Sequence, residues 1–171
     1  MKRMLFAAGL LGLAAVSGAQ AQQAASADRT RFGAQVSFAS DDVDLGVGGH
    51  LDLPMNQLFQ NQPVFAQISA DIFFPGNDLT YFELNWNLLY KFRIPNSPLA
   101  PYAGAGVNFA YLKDGGVCTT TPGADCSSTD LGVNLAGGVQ FPNAGRLLPF
   151  VQARFELKGG ELFVLSGGVH F

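Results

Sequence analysis

Residues 81–93 read YFELNWNLLYKFR, and the alternation within this stretch decides the fold. Every second side chain is large and apolar or aromatic, while those between and after them are polar or charged except at Leu89. The alternating apolar set is Phe82, Leu84, Trp86, Leu88, Tyr90 and Phe92. A period of two predicts a β-strand with two unlike faces, because successive side chains of a strand point to opposite sides. The remaining sequence indicates whether this apolar face contacts a protein core or lipid.

The first 21 residues have the organisation of a secretory signal peptide. Lys2 and Arg3 form a basic start, residues 4–16 are an apolar run, and the Ala-Gln-Ala triplet ending at Ala21 offers a cleavage site with small residues at its −3 and −1 positions. The apolar run is shorter than the ~20 residues that a membrane-spanning helix needs. We therefore expect the chain to be exported. The predicted division is a signal peptide at 1–21, a flexible N-terminal segment at 22–29 and one domain at 30–171.

The chain that remains after cleavage is acidic and poor in charge. Without Lys2 and Arg3, 8 basic and 13 acidic residues remain, a net charge of −5. We expect no nucleic-acid partner, because such a chain cannot neutralise phosphate charge. Charged residues make up 13% of the sequence. A surface that is fully exposed to water normally carries more of them, roughly 25–35%.

Seven further segments alternate in the same way, with turn signals such as PGND at 75–78 between them. Together with the opening stretch, the predicted strands are 31–38, 44–53, 64–74, 81–93, 101–112, 130–141, 149–157 and 161–171. The connection at 54–63 is long and rich in Asn and Gln, with at most one helical turn at 55–60. Eight strands are about the smallest number that closes a barrel around an interior filled by side chains. The sequence therefore predicts an all-β fold, an eight-stranded antiparallel up-and-down β-barrel.

The distribution of glycine and charge indicates which face of this barrel meets lipid. A soluble, lipocalin-like barrel also alternates, but its polar face lies in water. Here the polar faces are rich in glycine and short polar residues, which suit a narrow lumen, and the apolar faces carry charge only at the strand ends, at Asp44 and Glu161. A charge that faces lipid at the middle of a bilayer costs about 2–4 kcal/mol, so its absence is informative. We therefore predict a transmembrane barrel, and the alternating apolar set of residues 82–92 should face lipid.

These features resemble a known family, the small eight-stranded outer-membrane β-barrels of Gram-negative-type bacteria, which includes the OmpA transmembrane domain, OmpX and OmpW-like proteins. The resemblance is carried by AQA at 19–21, PYAGAGV at 101–107, PFVQARFEL at 149–157 and a last strand that ends on an aromatic residue, Phe171. It implies a location in the cell outer membrane with both termini in the periplasm. It also implies a monomer that contacts outer-membrane lipid.

The last strand resembles the signal that the barrel-assembly machinery reads in this family. A terminal aromatic residue follows alternating apolar residues there, and the matching positions are Phe163, Leu165, Val169 and Phe171. The resemblance therefore implies that the assembly machinery is a partner during biogenesis.

Nine ionisable residues on the polar faces are predicted to lie in the lumen. They are His50, Asp52, Asp71, Glu83, Lys91, Arg93, Asp130, Arg154 and Glu156. Because a buried charge must be paired, the simplest interpretation is a salt-bridge network that plugs the barrel. A narrow gated pore or a ligand pocket is the alternative. Lys91 and Arg93, two residues apart near the periplasmic rim, could instead hold an anion.

Cys118 and Cys126 lie in a polar segment, residues 113–128, that we predict to be the longest outer loop. They enclose seven residues, TTTPGAD, with a Pro-Gly turn. Two cysteines so spaced in an exported chain favour a disulfide that closes the loop. A metal site would need more ligands, and no histidine is near them in the sequence.

Enzymes occur on barrels of this kind, and a hydrolase would need a nucleophile and a histidine close together at the outer rim. His50 lies in mid-strand on the lumen side. Ser166 and His170 share one strand at a spacing of four residues, which separates them by about 13 Å. We therefore predict no enzymatic activity and no cofactor. The resemblance implies a structural or surface-interaction role at the cell envelope, with a narrow, porin-like channel for small solutes as the alternative.

Overall fold

The computed structural model describes residues 29–40, 44–75, 79–114, 126–142, 147–157 and 161–171. Within these ranges eight strands form a closed barrel, in which every strand pairs antiparallel with its neighbours in sequence and the last strand pairs with the first. The strands are β1 (Arg31–Ala39), β2 (Asp44–Pro54), β3 (Val64–Phe73), β4 (Leu79–Lys91), β5 (Ala100–Asp114), β6 (Cys126–Gln140), β7 (Leu148–Leu157) and β8 (Glu161–His170). The predicted fold is thereby confirmed. No helix among these residues is long and apolar enough to cross a membrane.

The main difference from the predicted strand bounds lies in the hairpin of β5 and β6. The sequence predicted a loop at 113–128, but the ladder of paired residues continues as far as Asp114 and Cys126. At its other side β6 pairs with β7 only from Val133 onwards. This hairpin therefore extends beyond the end of β7, while on its other side β4 accompanies β5 as far as the pair of Leu79 and Asp114. Polar side chains on both faces of β6 there obscure the alternation by which a strand is recognised in a sequence.

The connection between β2 and β3 contains the turn that the sequence indicated. Met55 accepts backbone hydrogen bonds from the N–H groups of Leu58 and Phe59, at 3.0 and 3.3 Å. Gln60 and Asn61 then take positive φ angles of 52° and 61°, which end the turn. This connection lies at the end of the barrel that holds residues 29–31 and Phe171, which we call the terminal end.

The two faces of each strand differ as predicted. In β4 the side chain of Trp86 is 57% exposed on the outside, whereas Glu83, Asn85 and Asn87 are fully buried inside. Leu84, Leu88, Tyr90 and Phe92 are also exposed on the outside, and Phe82 is half-buried there. The apolar face of this barrel therefore points outward, and its polar face is enclosed.

Large inward side chains lie opposite glycines on the neighbouring strand. Phe73 pairs with Gly46, and Tyr102 pairs with Gly138. A Cβ atom at Gly138 would lie 2.5 Å from the Tyr102 hydroxyl oxygen, and one at Gly46 would lie 2.5 Å from Cδ1 of Phe73. The absent side chain thus provides the space that its partner fills, so large side chains occupy the narrow interior.

Candidate functional site

Arg154 occupies the middle of the polar interior and is 1% exposed. Its Nη2 lies 2.5 Å from Oε2 of Glu83, its Nε lies 2.6 Å from Oε1 of Glu156, and its Nη1 lies 3.8 Å from Oδ2 of Asp71. One guanidinium group therefore donates hydrogen bonds to two carboxyl groups and forms a longer ion pair with a third, and all three carboxyl groups are completely buried. We call these four residues the arginine cluster.

Neutral side chains complete the arginine cluster. The Asn108 amide donates to Glu83 at 3.0 Å and to Glu156 at 2.7 Å. Asp71 accepts hydrogen bonds from Gln35 Nε2 at 2.7 Å and from the Ser37 hydroxyl at 3.2 Å. Each carboxyl group thus accepts a hydrogen bond from a neutral side chain in addition to its contact with Arg154.

A second cluster lies nearer the terminal end and consists of His50, Asp52 and His170. Nε2 of His50 lies 3.4 Å from Nδ1 of His170, and that same Nδ1 lies 3.3 Å from Oδ2 of Asp52. All three side chains are buried, and the Phe150 ring packs edge-on against both imidazoles. We call this the histidine cluster.

Gln35 joins the two clusters. Its amide nitrogen donates to Asp71 of the arginine cluster, and its amide oxygen lies 3.0 Å from Nδ1 of His50. Because the amide nitrogen is already committed to a carboxylate, the oxygen must accept, so Nδ1 of His50 carries the hydrogen. Nε2 of His50 is then left with its lone pair directed towards His170.

Two of the nine predicted lumen residues lie elsewhere. Arg93 is exposed and follows the end of β4 at Lys91, so its predicted place in the lumen is wrong. Asp130 pairs with the inward-facing Ala110, but it precedes the first β6–β7 pair and is exposed on the projecting hairpin. The structure places the other predicted residues inside: His50, Asp52, Asp71, Glu83, Arg154 and Glu156 are buried, and Lys91 is half-buried.

Lys91 does not form an anion site with Arg93. Its Nζ lies over the Phe65 ring, 5.2 Å from the centroid. It lines a cavity of about 20 Å³ at the terminal end together with Arg31 and Asp52, and Arg93 is not part of that lining. The ammonium group therefore faces a carboxylate side chain and an aromatic ring.

Sequence reasoning missed most of the neutral side chains that fill the lumen. The Asn134 amide donates to Asn85 at 2.8 Å and to Asn87 at 3.0 Å, and the Tyr102 hydroxyl donates to Gln152 at 2.9 Å. These residues lay on faces already identified as polar, but only charged positions and His50 were assigned to a network. His170 was also missed, although it alternates with Phe163, Leu165 and Val169 and so had to point inward.

The outward positions of the last strand are those assigned to the assembly signal. Phe163, Leu165 and Phe171 are exposed on the outside, and Val169 is half-buried. The backbone N–H of Phe171 donates to the carbonyl of Phe32 at 2.8 Å, so the terminal residue is held against β1. This placement presents the aromatic ring at the terminal end, while the role as an assembly signal stays a prediction.

Three predictions fall wholly or almost wholly outside the described residues. Cys118 lies there, and so does the side chain of Cys126, so the disulfide stays a prediction. The same holds for the signal peptide at 1–21 and for all but the last residue of the flexible segment at 22–29.

Comparison with known proteins agrees with the fold. Residues 10–148 match the family described as "Outer membrane protein beta-barrel domain". A search of curated protein sequences found no match. Among solved structures, the chain is similar to Neisserial surface protein A, with a TM-score of 0.60 and 16% identity over 82% of this chain and 94% of that chain. The N-terminal β-barrel domain of Pseudomonas aeruginosa OprF gives a TM-score of 0.59 and 14% identity over 84% of this chain and 98% of that chain.

A third similar structure is an enzyme. It is the outer membrane enzyme PagL, with a TM-score of 0.50 and 14% identity over 82% of this chain and 98% of that chain. At these identities the structural likeness is one of fold. The family match covers most of the chain, and the barrel has its apolar face outward. The chain therefore belongs to the outer-membrane β-barrel family and is an integral protein of the cell outer membrane.

Proposed function

We propose that the protein is a closed barrel with a structural or surface-interaction role at the cell envelope. It acts as a monomer in outer-membrane lipid, is inserted by the barrel-assembly machinery, and is neither a channel nor an enzyme. The observation that carries this proposal is the arginine cluster, because it crosses the lumen. Arg154 is on β7 and Asp71 is on β3, and these two strands lie on opposite sides of the ring of eight.

The packing around the arginine cluster also favours a closed lumen. An apolar group made of Phe73, Tyr81, Ala110, Leu162 and Val164 lies on the side away from the terminal end. Phe65, Leu89, Tyr102 and Ala136 form a second apolar group inside the barrel. An ion that crossed the barrel would have to displace these side chains and separate buried ion pairs, which is costly.

Current measurements on the purified protein test the closed lumen. In planar lipid bilayers we expect no reproducible stepwise conductance from the wild type, because the arginine cluster bridges the lumen. Flotation of the protein with lipid vesicles provides the control that it has inserted. Reproducible openings of the inserted wild type would contradict the proposal and support the channel for small solutes.

The positions of the histidines argue against an enzyme of the hydrolase type. The chain has two histidines, and both are buried inside the barrel. Ser166, on the same strand as His170, has its hydroxyl 2.8 Å from that of Ser37. A nucleophile and base that act on a membrane lipid would have to reach the outer surface, and these side chains do not.

The projecting hairpin of β5 and β6 supports a role in surface interaction. Ser127, Ser128, Thr129 and Asp130 are exposed there, beyond the last residues that pair with β7. They lie at the end of the barrel opposite the termini. In the proposed orientation this end faces the outside of the cell.

Labelling of intact cells tests that orientation. With a membrane-impermeant thiol reagent we expect a Ser128→Cys variant to be labelled on whole cells, because Ser128 projects from the outer end. A matched Gln57→Cys variant, exposed in the connection at the terminal end, should be labelled only after lysis. The unsubstituted protein reports any background from Cys118 and Cys126. Labelling of Gln57→Cys but not Ser128→Cys on whole cells would invert the orientation and remove the hairpin as a surface element.

A further inference from the structure

We propose that the histidine cluster is a binding site for a divalent transition-metal ion, with Zn²⁺ as the best fit. One ligand atom from each of His50, Asp52 and His170 lies within 4.8 Å of the others, and the contacts among them point to Nε2 of His50, Oδ2 of Asp52 and Nδ1 of His170. Two imidazoles and one carboxylate are a ligand set that zinc sites use with one position left for water, and that non-haem iron sites use with several positions open. This inference is independent of the structural or surface role proposed above.

Two distances within the cluster match those of a metal site. The His50–His170 and His170–Asp52 separations are 3.4 and 3.3 Å. Both exceed the range of about 2.7–3.2 Å that is usual for N–H···O hydrogen bonds. In a tetrahedral site with bonds of about 2.0–2.1 Å, two ligand atoms are separated by about 3.3–3.4 Å. Two of the three separations therefore match those of atoms around a common ion, and binding would draw His50 and Asp52 together within the 4.8 Å that bounds the cluster.

The side chains around the cluster orient its ligands. Nδ1 of His50 donates to Gln35, so its Nε2 presents a lone pair to the cluster. Oδ1 of Asp52 accepts from the Gln67 amide at 3.1 Å, which leaves Oδ2 for the ion. Such outer partners normally fix the tautomer and direction of metal ligands. His170 differs from His50 in this respect, because its Nε2 has no hydrogen-bond partner in the described part of the chain and its ring is positioned by packing against Phe150.

Gly33 makes the meeting of the two imidazoles feasible. In the barrel, β1 lies between β8 and β2, and Gly33 pairs with both His170 and His50. A Cβ atom at this position would collide with Nε2 of His50, the proposed ligand atom. The two histidines can therefore approach each other only over a residue without a side chain.

An ion could reach the cluster from the terminal end. The cavity of about 20 Å³ there includes Asp52 in its lining and has room for about one water molecule. Arg31 and Lys91 line the same cavity and compete with a cation for Asp52, so the carboxylate is not free of charge partners. Once bound, the ion would connect β2 to β8 across β1, at the seam where the barrel closes.

Metal titration of the folded, untagged protein tests the site. Because reduced cysteines also bind zinc, the protein should carry Cys118→Ser and Cys126→Ser. After removal of metal with a chelator, calorimetry should show one equivalent of Zn²⁺ bound, and Co²⁺ should give the visible absorption bands of a tetrahedral complex. Heat-dependent gel mobility shows that each sample is folded.

Two variants and one control locate the bound ion. His170→Gln removes a ligand, and Gly33→Ala displaces the His50 ring while every ligand remains. We expect each to weaken Zn²⁺ binding by about tenfold or more. Gly167→Ala is the matched control on β8, because a Cβ atom there has no heavy atom nearer than 4.0 Å, and it should bind as the parent does.

Two results would overturn the proposal. One is the absence of Zn²⁺ heat and Co²⁺ absorption in the folded parent, which would leave a hydrogen-bonded cluster only. The other is undiminished binding in Gly33→Ala or His170→Gln, which would put the ion elsewhere. If His170→Gln fails to fold, the parent and Gly33→Ala still decide the question.

Discussion

Arg154→Ala should lower the free energy of unfolding by about 3–5 kcal/mol, because removal of one partner leaves buried charges without compensation. Arg154 is the cation that binds Asp71, Glu83 and Glu156, and all four side chains are buried. Urea unfolding in lipid vesicles, followed by the fluorescence of Trp86, measures the change. The chain has one tryptophan, so the signal has a single source.

Lys113→Ala provides the matched control for Arg154→Ala. Lys113 is an exposed cation on β5, and a surface substitution of this kind normally changes stability by no more than about 0.5 kcal/mol. Adding Glu83→Gln to Arg154→Ala should restore part of the loss, since it removes one of the uncompensated carboxylates. A loss below about 1 kcal/mol for Arg154→Ala would show that the arginine cluster does not stabilise the barrel.

Trp86→Arg should reduce stability by about 2–4 kcal/mol and lower the yield of inserted protein, because it places a cation in the hydrocarbon of the bilayer. Trp86 pairs with Ile68 on β3 and Val107 on β5, and all three side chains are exposed on the outside near the middle of their strands. The variant lacks the fluorescent probe, so the folded fraction against urea is measured by heat-dependent gel mobility.

The same charge placed in water should have little effect. Thr129→Arg puts an arginine on the projecting hairpin of β5 and β6, where the side chain is exposed beyond the barrel rim. We expect its stability to remain within about 0.5 kcal/mol of the wild type. Equal behaviour of Trp86→Arg and Thr129→Arg would contradict the assignment of the outer face to lipid.

The sequence predicted the barrel because alternation is a local property of a strand. Trp86 and Glu83 lie on opposite faces of β4 regardless of how the other strands are arranged. The number of strands and the lumen-facing side of each strand could therefore be predicted from the sequence. The outer part of the β5–β6 hairpin was not predicted. Beyond the rim, water lies on both sides of a strand, and the residues around Asp130 no longer alternate in polarity.

The two clusters depend on register between strands, which the sequence does not reveal. Arg154 and Asp71 are 83 positions apart in the chain and meet only because β7 and β3 face each other across the lumen. His50 and His170 likewise meet through their common neighbour Gly33. The prediction for Arg93 was wrong because β4 ends at Lys91. Beyond the end of a strand, side chains no longer alternate between the inside and the outside of the barrel.

The pairing of large inward side chains with glycines has a consequence for how such a barrel can change over evolutionary time. The Phe73 ring fills the space beside Gly46 that a side chain at position 46 would need, and Tyr102 does the same beside Gly138. A bulkier residue at one member of a pair is tolerated only if the other becomes smaller. Substitutions inside the barrel should therefore accumulate as coupled exchanges between adjacent strands, whereas lipid-facing positions can drift one at a time.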